Sequence, residues 1–248
     1  MAAQHQTSPA TGRTSDTPAG DTQGSLVEHE QFNDAGGLSS RAGFMDGVLH
    51  GEMRSFGPDG KLLVHAHYQA GQLHGVLKLF DEQGDPVQEA TYSRGLQHGP
   101  TRVFARGRLL SEQRFANGSL HGESAAYSEA GEITTRQNFY KGEVEGEALF
   151  LNEGGVVRRA QYRKGLLEGE TLDYDRDGAM VQKATYRNNL LEGPLTRYWP
   201  DGQVMEVVLY RAGKPLGKPR RFDSKGVELR DEEAGGGLMK RLEKLVKG

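Results

Sequence analysis

A chain of 248 residues with a formal net charge of −3 lacks the basic surface of a general nucleic-acid binder. It has no cysteine, which excludes disulfides, a thiolate nucleophile and cysteine-ligated zinc and suits the cytoplasm. Hydrophobic content of 35% beside 35 glycines is low for a thick globular core and fits a thin sheet with much exposed surface.

Residues 1–40, beginning "MAAQHQTSPATGRTSDTPAGDTQGSL", are rich in Thr, Ser, Ala, Gly and Pro. They show no basic start and no apolar run, so composition predicts a disordered leader without a visible secretory signal. No apolar stretch in the chain is long enough to span a bilayer.

From residue 41 to residue 229 the chain repeats itself. Each of eight copies is anchored on Gly47, Gly71, Gly95, Gly118, Gly142, Gly165, Asn189 or Gly213, spaced 23 or 24 residues apart. An aromatic precedes each anchor by three residues (Phe44, Tyr68, Tyr92, Phe115, Phe139, Tyr162, Tyr186, Tyr210). A second glycine follows it by four, from Gly51 to Gly217, and a large apolar residue by nine, from Phe56 to Phe222, with Leu151 in the fifth copy. Segments such as "GPDG", "DEQG", "SEAG" and "DRDG" close the copies with turn chemistry. Each copy therefore predicts a β-hairpin of two roughly seven-residue strands. A lone hairpin cannot bury its apolar columns; stacked copies align them into ladders. The expected fold is all-β, an elongated single-layer antiparallel sheet of sixteen strands.

These columns resemble the MORN repeat (membrane occupation and recognition nexus) in its bacterial antitoxin-like variant, "Y-x-x-G-x-L-x-G-x-x-x-x-Y-x-x-x-G". Asn189 departs from the anchor glycine but suits positive φ. The resemblance implies a solenoid ribbon of hairpins. Arrays of this kind occur in membrane-associated scaffolds, in enzymes beside catalytic domains and in toxin-neutralising proteins.

Residues 230–248 change character. Gly235–Gly237 form a linker, and "LMKRLEKLVKG" places Leu238, Leu242 and Leu245 on one face of a short amphipathic helix. That helix has three readings: a cap on the last hairpin, a partner-docking helix, or a membrane-surface helix.

Two columns vary along the array. The residue before the second glycine reads His50, His74, His98 and His121, then Glu145, Glu168 and Glu192. Equivalent residues of successive copies lie about 9–10 Å apart, too far for one metal ion, so no metal or other cofactor is expected. The column is either a solvated ladder or a recognition stripe. Seven residues after the anchor stand Arg54, Lys78 and Arg102, then Ala125, Leu149 and Leu172. If the early copies grip a partner, the contact strip comprises Arg54, His74, Lys78, His98, Arg102 and His121. His65 and His67 share a strand face without carboxylates at ligand spacing, which reads as incidental.

No P-loop, "GxSxG", "HExxH" or Rossmann signature is present. The expected function is non-enzymatic protein binding. The resemblance points to a toxin or secreted effector as partner, occluded by the array. Peripheral contact with anionic lipid and service as an accessory subunit of an enzyme complex are the alternatives.

Overall fold

A computed structural model describes residues 24–229. Those residues divide into two compact units, one of residues 24–109 and Phe115–Gly118, the other of Leu110–Arg114 and residues 119–229. Every regular element among them is a strand, and the strands pair antiparallel in stacked hairpins.

The first unit holds β1 (Leu26–Phe32), β2 (Leu38–Met45), β3 (Val48–Phe56), β4 (Leu62–Gln69), β5 (Gln72–Leu73), β6 (Gly75–Phe80), β7 (Pro86–Ser93) and β8 (Leu96–Ala105). β9 (Arg108–Ala116) contributes residues to both units. The second holds β10 (Ser119–Leu120), β11 (Gly122–Tyr127), β12 (Ile133–Tyr140), β13 (Glu143–Val144), β14 (Gly146–Asn152), β15 (Gly155–Arg163), β16 (Leu166–Tyr174), β17 (Met180–Arg187), β18 (Leu190–Tyr198), β19 (Val204–Arg211), β20 (Lys214–Pro215), β21 (Arg220–Phe222) and β22 (Glu228–Leu229).

The 22 strands exceed the sixteen expected for two physical reasons. Four strands break near the second glycine, between β5 and β6, β10 and β11, β13 and β14, and β20 and β21. In addition, the hairpin β1–β2 precedes the first anchor, its register running from Leu26↔Met45 to Phe32↔Leu38. It takes in residues 26–32 and 38–40, which composition assigned to the leader. The turn that closes it is built by Asn33, whose Oδ1 accepts from the amides of Ala35 and Gly37. Residues 1–23 and the expected C-terminal helix lie outside the described residues.

Each copy turns twice. The anchor is the second residue of a two-residue turn with both φ positive, as at Asp46 (52°) and Gly47 (78°) or Ala70 (48°) and Gly71 (76°). This turn twists in the sense that two paired strands need. Its amide also fastens the copy to the one before: Gly71 N donates to Leu49 O at 2.9 Å, Gly165 N to Val144 O at 2.9 Å and Gly213 N to Leu191 O at 2.9 Å.

At the opposite edge, Asp81, Asp175 and Asp223 each accept two amide hydrogen bonds, from residues two and four further on. Where that first position is Gly57 or Trp199, an aspartate two residues later takes over: Asp59 accepts from Lys61 N and Asp201 from Gln203 N. The two 23-residue copies close instead with two-residue turns at Arg106–Gly107 and Glu153–Gly154, both φ positive in each.

These turn bonds favour the charged carboxylate. The amides of Val227 and Lys225 hold Asp223 below its ordinary value of 3.8, and the Lys61 amide does the same for Asp59. A depressed folded-state pKa adds stability that is present above the unfolded value and lost as pH falls through the folded one. Carboxyl-resolved NMR titration is therefore expected to give midpoints for Asp59 and Asp223 below 3.8, with their turn amides losing protection as each protonates. A midpoint at or above that value would show that the turn bonds do not form.

The core is one residue deep. Its floor is a row of small side chains paired strand to strand: Ala148↔Ala160, Ala160↔Thr171, Thr171↔Ala184 and Ala184↔Leu195 in the second unit, and Ala90↔Thr101 in the first. Ala66, Ala90, Ala148, Ala160 and Ala184 are at most 1% exposed. Among the described residues no large side chain is fully buried, so the aromatics that flank the floor keep part of their surface in solvent.

Candidate functional site

The six residues expected to form one contact strip fall into two sets. Arg54 and Lys78 lie at the middle of one row of the sheet, each paired across strands with His65 in register, and Arg102 continues that row opposite Glu89. Carboxylates match the charge: Glu52 pairs with Arg54, and Glu89 with Lys78 at 2.8 Å. His65 and His67 also meet a carboxylate after all, each 3.7 Å from Glu52 Oε1. The geometry does not close on an ion, and the described residues contain no group of three or more His, Cys, Asp or Glu able to hold a metal.

His74, His98 and His121 stand instead at the strand break or bulge beside the second glycine. The backbone there is held, His74 N donating to His67 O at 2.9 Å and His121 N to Arg114 O at 2.8 Å. The acidic end of the same column shows what the side chains do. Glu145 accepts from Lys164 N at 2.8 Å, Glu168 from Asn188 N at 2.9 Å and Glu192 from Ala212 N at 2.8 Å. Each acceptor reaches the first turn residue of the next copy, and His98 Nδ1 makes the same contact to Asn117 N at 3.5 Å. His98, Glu145, Glu168 and Glu192 thus staple one copy to the next, whereas the His121 ring lies against Tyr140. Replacing Glu168 by alanine removes a charged hydrogen bond at an exposed site and is expected to cost about 1–2 kcal/mol. Amide exchange should quicken most at Asn188; unchanged exchange there would sink the staple.

The opposite face of the second unit carries a different arrangement. A groove of about 410 Å³ is lined by Phe150, Val157, Arg158, Ala160, Tyr162, Leu167, Thr171, Asp173 and Tyr186. Its floor is the Ala160–Thr171 step of the small-residue row, and tyrosines from successive copies wall it. Phe150 stands in this wall where the neighbouring Leu151 breaks the aromatic column.

Beside the groove runs a polar ladder across six strands. Arg158 binds Asp173 through Nε and Nη2, the latter at 3.0 Å, and Gln182 Nε2 donates to the same carboxylate at 3.1 Å. Arg197 Nε donates to Gln182 at 3.3 Å and its Nη1 to Glu206 at 3.1 Å; Arg221 Nε donates to the other Glu206 oxygen at 2.9 Å. The Asp173 carboxylate raises the pKa of Arg158 above its usual value, chiefly through that hydrogen bond. The register places Ser40, Ser55, Val64, Leu79, Gln88 and Val103 on the equivalent row of the first unit, so the ladder belongs to the second unit alone.

Four of the hairpins match the MORN repeat variant. The matched segments are residues 49–70, 73–94, 167–188 and 191–212, two in each unit. Each runs from the apolar residue after an anchor to the first residue of the next tight turn. The 23-residue copies, with their shortened turns, are not among them. The chain is thus a repeat scaffold that contains MORN-type hairpins.

No curated protein matches the chain. A crystal structure of TcdB2-TccC3-Cdc42 aligns at 13% identity over 82% of this chain and 14% of that one, with a TM-score of 0.19. One of TcdB2-TccC3 aligns at 14% identity over 82% and 17%, with a TM-score of 0.15. This chain therefore spans less than a fifth of either.

Proposed function

We propose that this chain is a non-enzymatic scaffold that grips another protein in the cytoplasm and neutralises it by covering its active cleft. A toxin or secreted effector is the partner that the sequence resemblance favours. The observation that carries the binding reading is the half-covered aromatic face: its floor is closed by alanines while no large side chain on it is fully buried. Single-layer repeat arrays offer such a face to a partner, and burial of flanking aromatics supplies the affinity. Of the basic strip that a lipid-binding reading would use together with the C-terminal helix, Arg54 and Lys78 are already paired with Glu52 and Glu89.

Native capture from the source cell followed by mass spectrometry tests the reading. A toxic or secreted protein should co-purify, and co-expression should suppress its toxicity. Recovery of a housekeeping enzyme would replace neutralisation by an accessory role. Sedimentation with anionic liposomes at low salt, where attraction is greatest, would support a membrane role instead.

A further inference from the structure

The groove of the second unit has an unused polar group at its floor. Thr171 is 5% exposed and lines the groove, yet its hydroxyl has no hydrogen-bond partner. A buried hydroxyl without a partner forfeits its hydration, and a bound ligand that supplies an acceptor or donor restores it. The neighbouring Asp173 is in the opposite condition. Its two oxygens already accept from Arg158 and Gln182, and its side chain is only 16% exposed. What remains on offer is positive: Arg158 spends Nε and Nη2 on Asp173, keeps Nη1, and is 51% exposed. Along the ladder three guanidiniums, of Arg158, Arg197 and Arg221, face two carboxylates, of Asp173 and Glu206.

We propose that this groove binds an extended segment of a partner protein in which a large apolar residue is flanked by acidic ones. The apolar side chain lies over Ala160 and Thr171 between Tyr162 and Tyr186. The flanking carboxylates meet Arg158 and Arg197, three strand spacings or about 14 Å apart, with Arg221 two strands further on. A backbone amide or carbonyl of the segment satisfies the Thr171 hydroxyl. A basic segment would set its charges against the three arginines, so the row discriminates by sign as well as by shape. This inference deepens the protein-binding reading by naming the chemistry of the partner and the face that reads it.

The probe is the fluorophore-labelled peptide acetyl-Asp-Leu-Asp-Phe-Asp-Leu-amide, titrated with the full chain by anisotropy against its counterpart with lysine at every aspartate. The acidic peptide is expected to bind about tenfold or more tightly at low salt, with the preference shrinking as salt rises. Thr171→Val keeps shape and fold and should weaken acidic-peptide binding by about threefold through the lost hydroxyl. Arg158→Gln with Asp173→Asn leaves no buried charge behind and should reduce the preference through the lost Arg158 contact, while Arg197 and Arg221 against Glu206 retain the rest. Equal binding of both peptides, binding of neither, or a preference undiminished in both variants overturns the assignment. So does displacement by phosphatidylserine vesicles of a signal that no peptide displaces. If the captured partner stays bound to both variants, only the face assignment falls; if the acidic preference holds while no protein is captured, the neutralisation reading falls.

Discussion

Replacing Glu206 by alanine is expected to lower the stability of the second unit by about 2–4 kcal/mol, among the largest effects of any single polar change in this chain. Glu206 is 7% exposed and is the shared acceptor of Arg197 and Arg221, which approach it from the strands on either side. Without it, two guanidiniums face each other across a desolvated position with no counter-charge. Both arginines reach solvent, at 41% and 34% of their side chains, so the loss should sit below the upper end for a fully buried pair. Glu206→Gln keeps the shape and one acceptor but removes the charge, and should cost roughly half as much. Urea unfolding followed at Trp199 is the measurement, because its indole nitrogen donates to Phe222 O within the same region. A loss below about 0.5 kcal/mol for Glu206→Ala would mean that the ladder is a solvated surface feature.

That ladder was not legible in the sequence, and the reason is geometric. Its members are 15 or 9 residues apart, in columns where other copies carry Ser, Val, Leu or Ala, so no periodic signal marks them. The His-to-Glu column was visible as a column, but its task was not. Each acceptor finds its donor amide 19 or 20 residues on, in the next copy's turn, and a backbone donor leaves no trace in residue type. The stacked hairpins themselves were readable from the glycine and aromatic spacing alone. The hairpin β1–β2 escaped because Asn33 builds its turn where later copies use aspartate, and because "LVEHEQF", exposed along its whole length, carries no apolar alternation. The shorter copies were visible only as 23-residue spacings between anchors, which the structure resolves into two-residue turns at Arg106–Gly107 and Glu153–Gly154.

The glycine columns give the last expectation, because the structure grades them by φ. At the first turn position φ stays near 50°, and Ala70, Arg94, Lys141, Lys164 and Ala212 all occupy it. At the anchor φ is between 74° and 88° wherever glycine stands, and Asn189 holds the place at 66° with its side chain accepting from Leu167 N. At the second glycine φ reaches 110° at Gly99 and 109° at Gly169, beyond the left-handed well that L-residues tolerate. A Cβ on Gly169 would also stand 3.3 Å from Cβ of Gln161, an atom with no freedom to swing away. Gly169→Ala should therefore destabilise the second unit by about 2–3 kcal/mol, the upper part of the range for a residue forced into a sparsely populated backbone region. Gly165→Ala, at 74° with open space around it, should cost about 1 kcal/mol, and Lys164→Ala, at 50°, close to nothing. That order, read from urea midpoints at constant slope, follows from backbone conformation alone, since none of the three changes removes a buried side chain. Equal losses at residues 164, 165 and 169 would show that the copies bend freely at the second glycine. The bulge that positions Glu168 against the next turn would then be a soft joint, and the staple could not hold neighbouring copies in register.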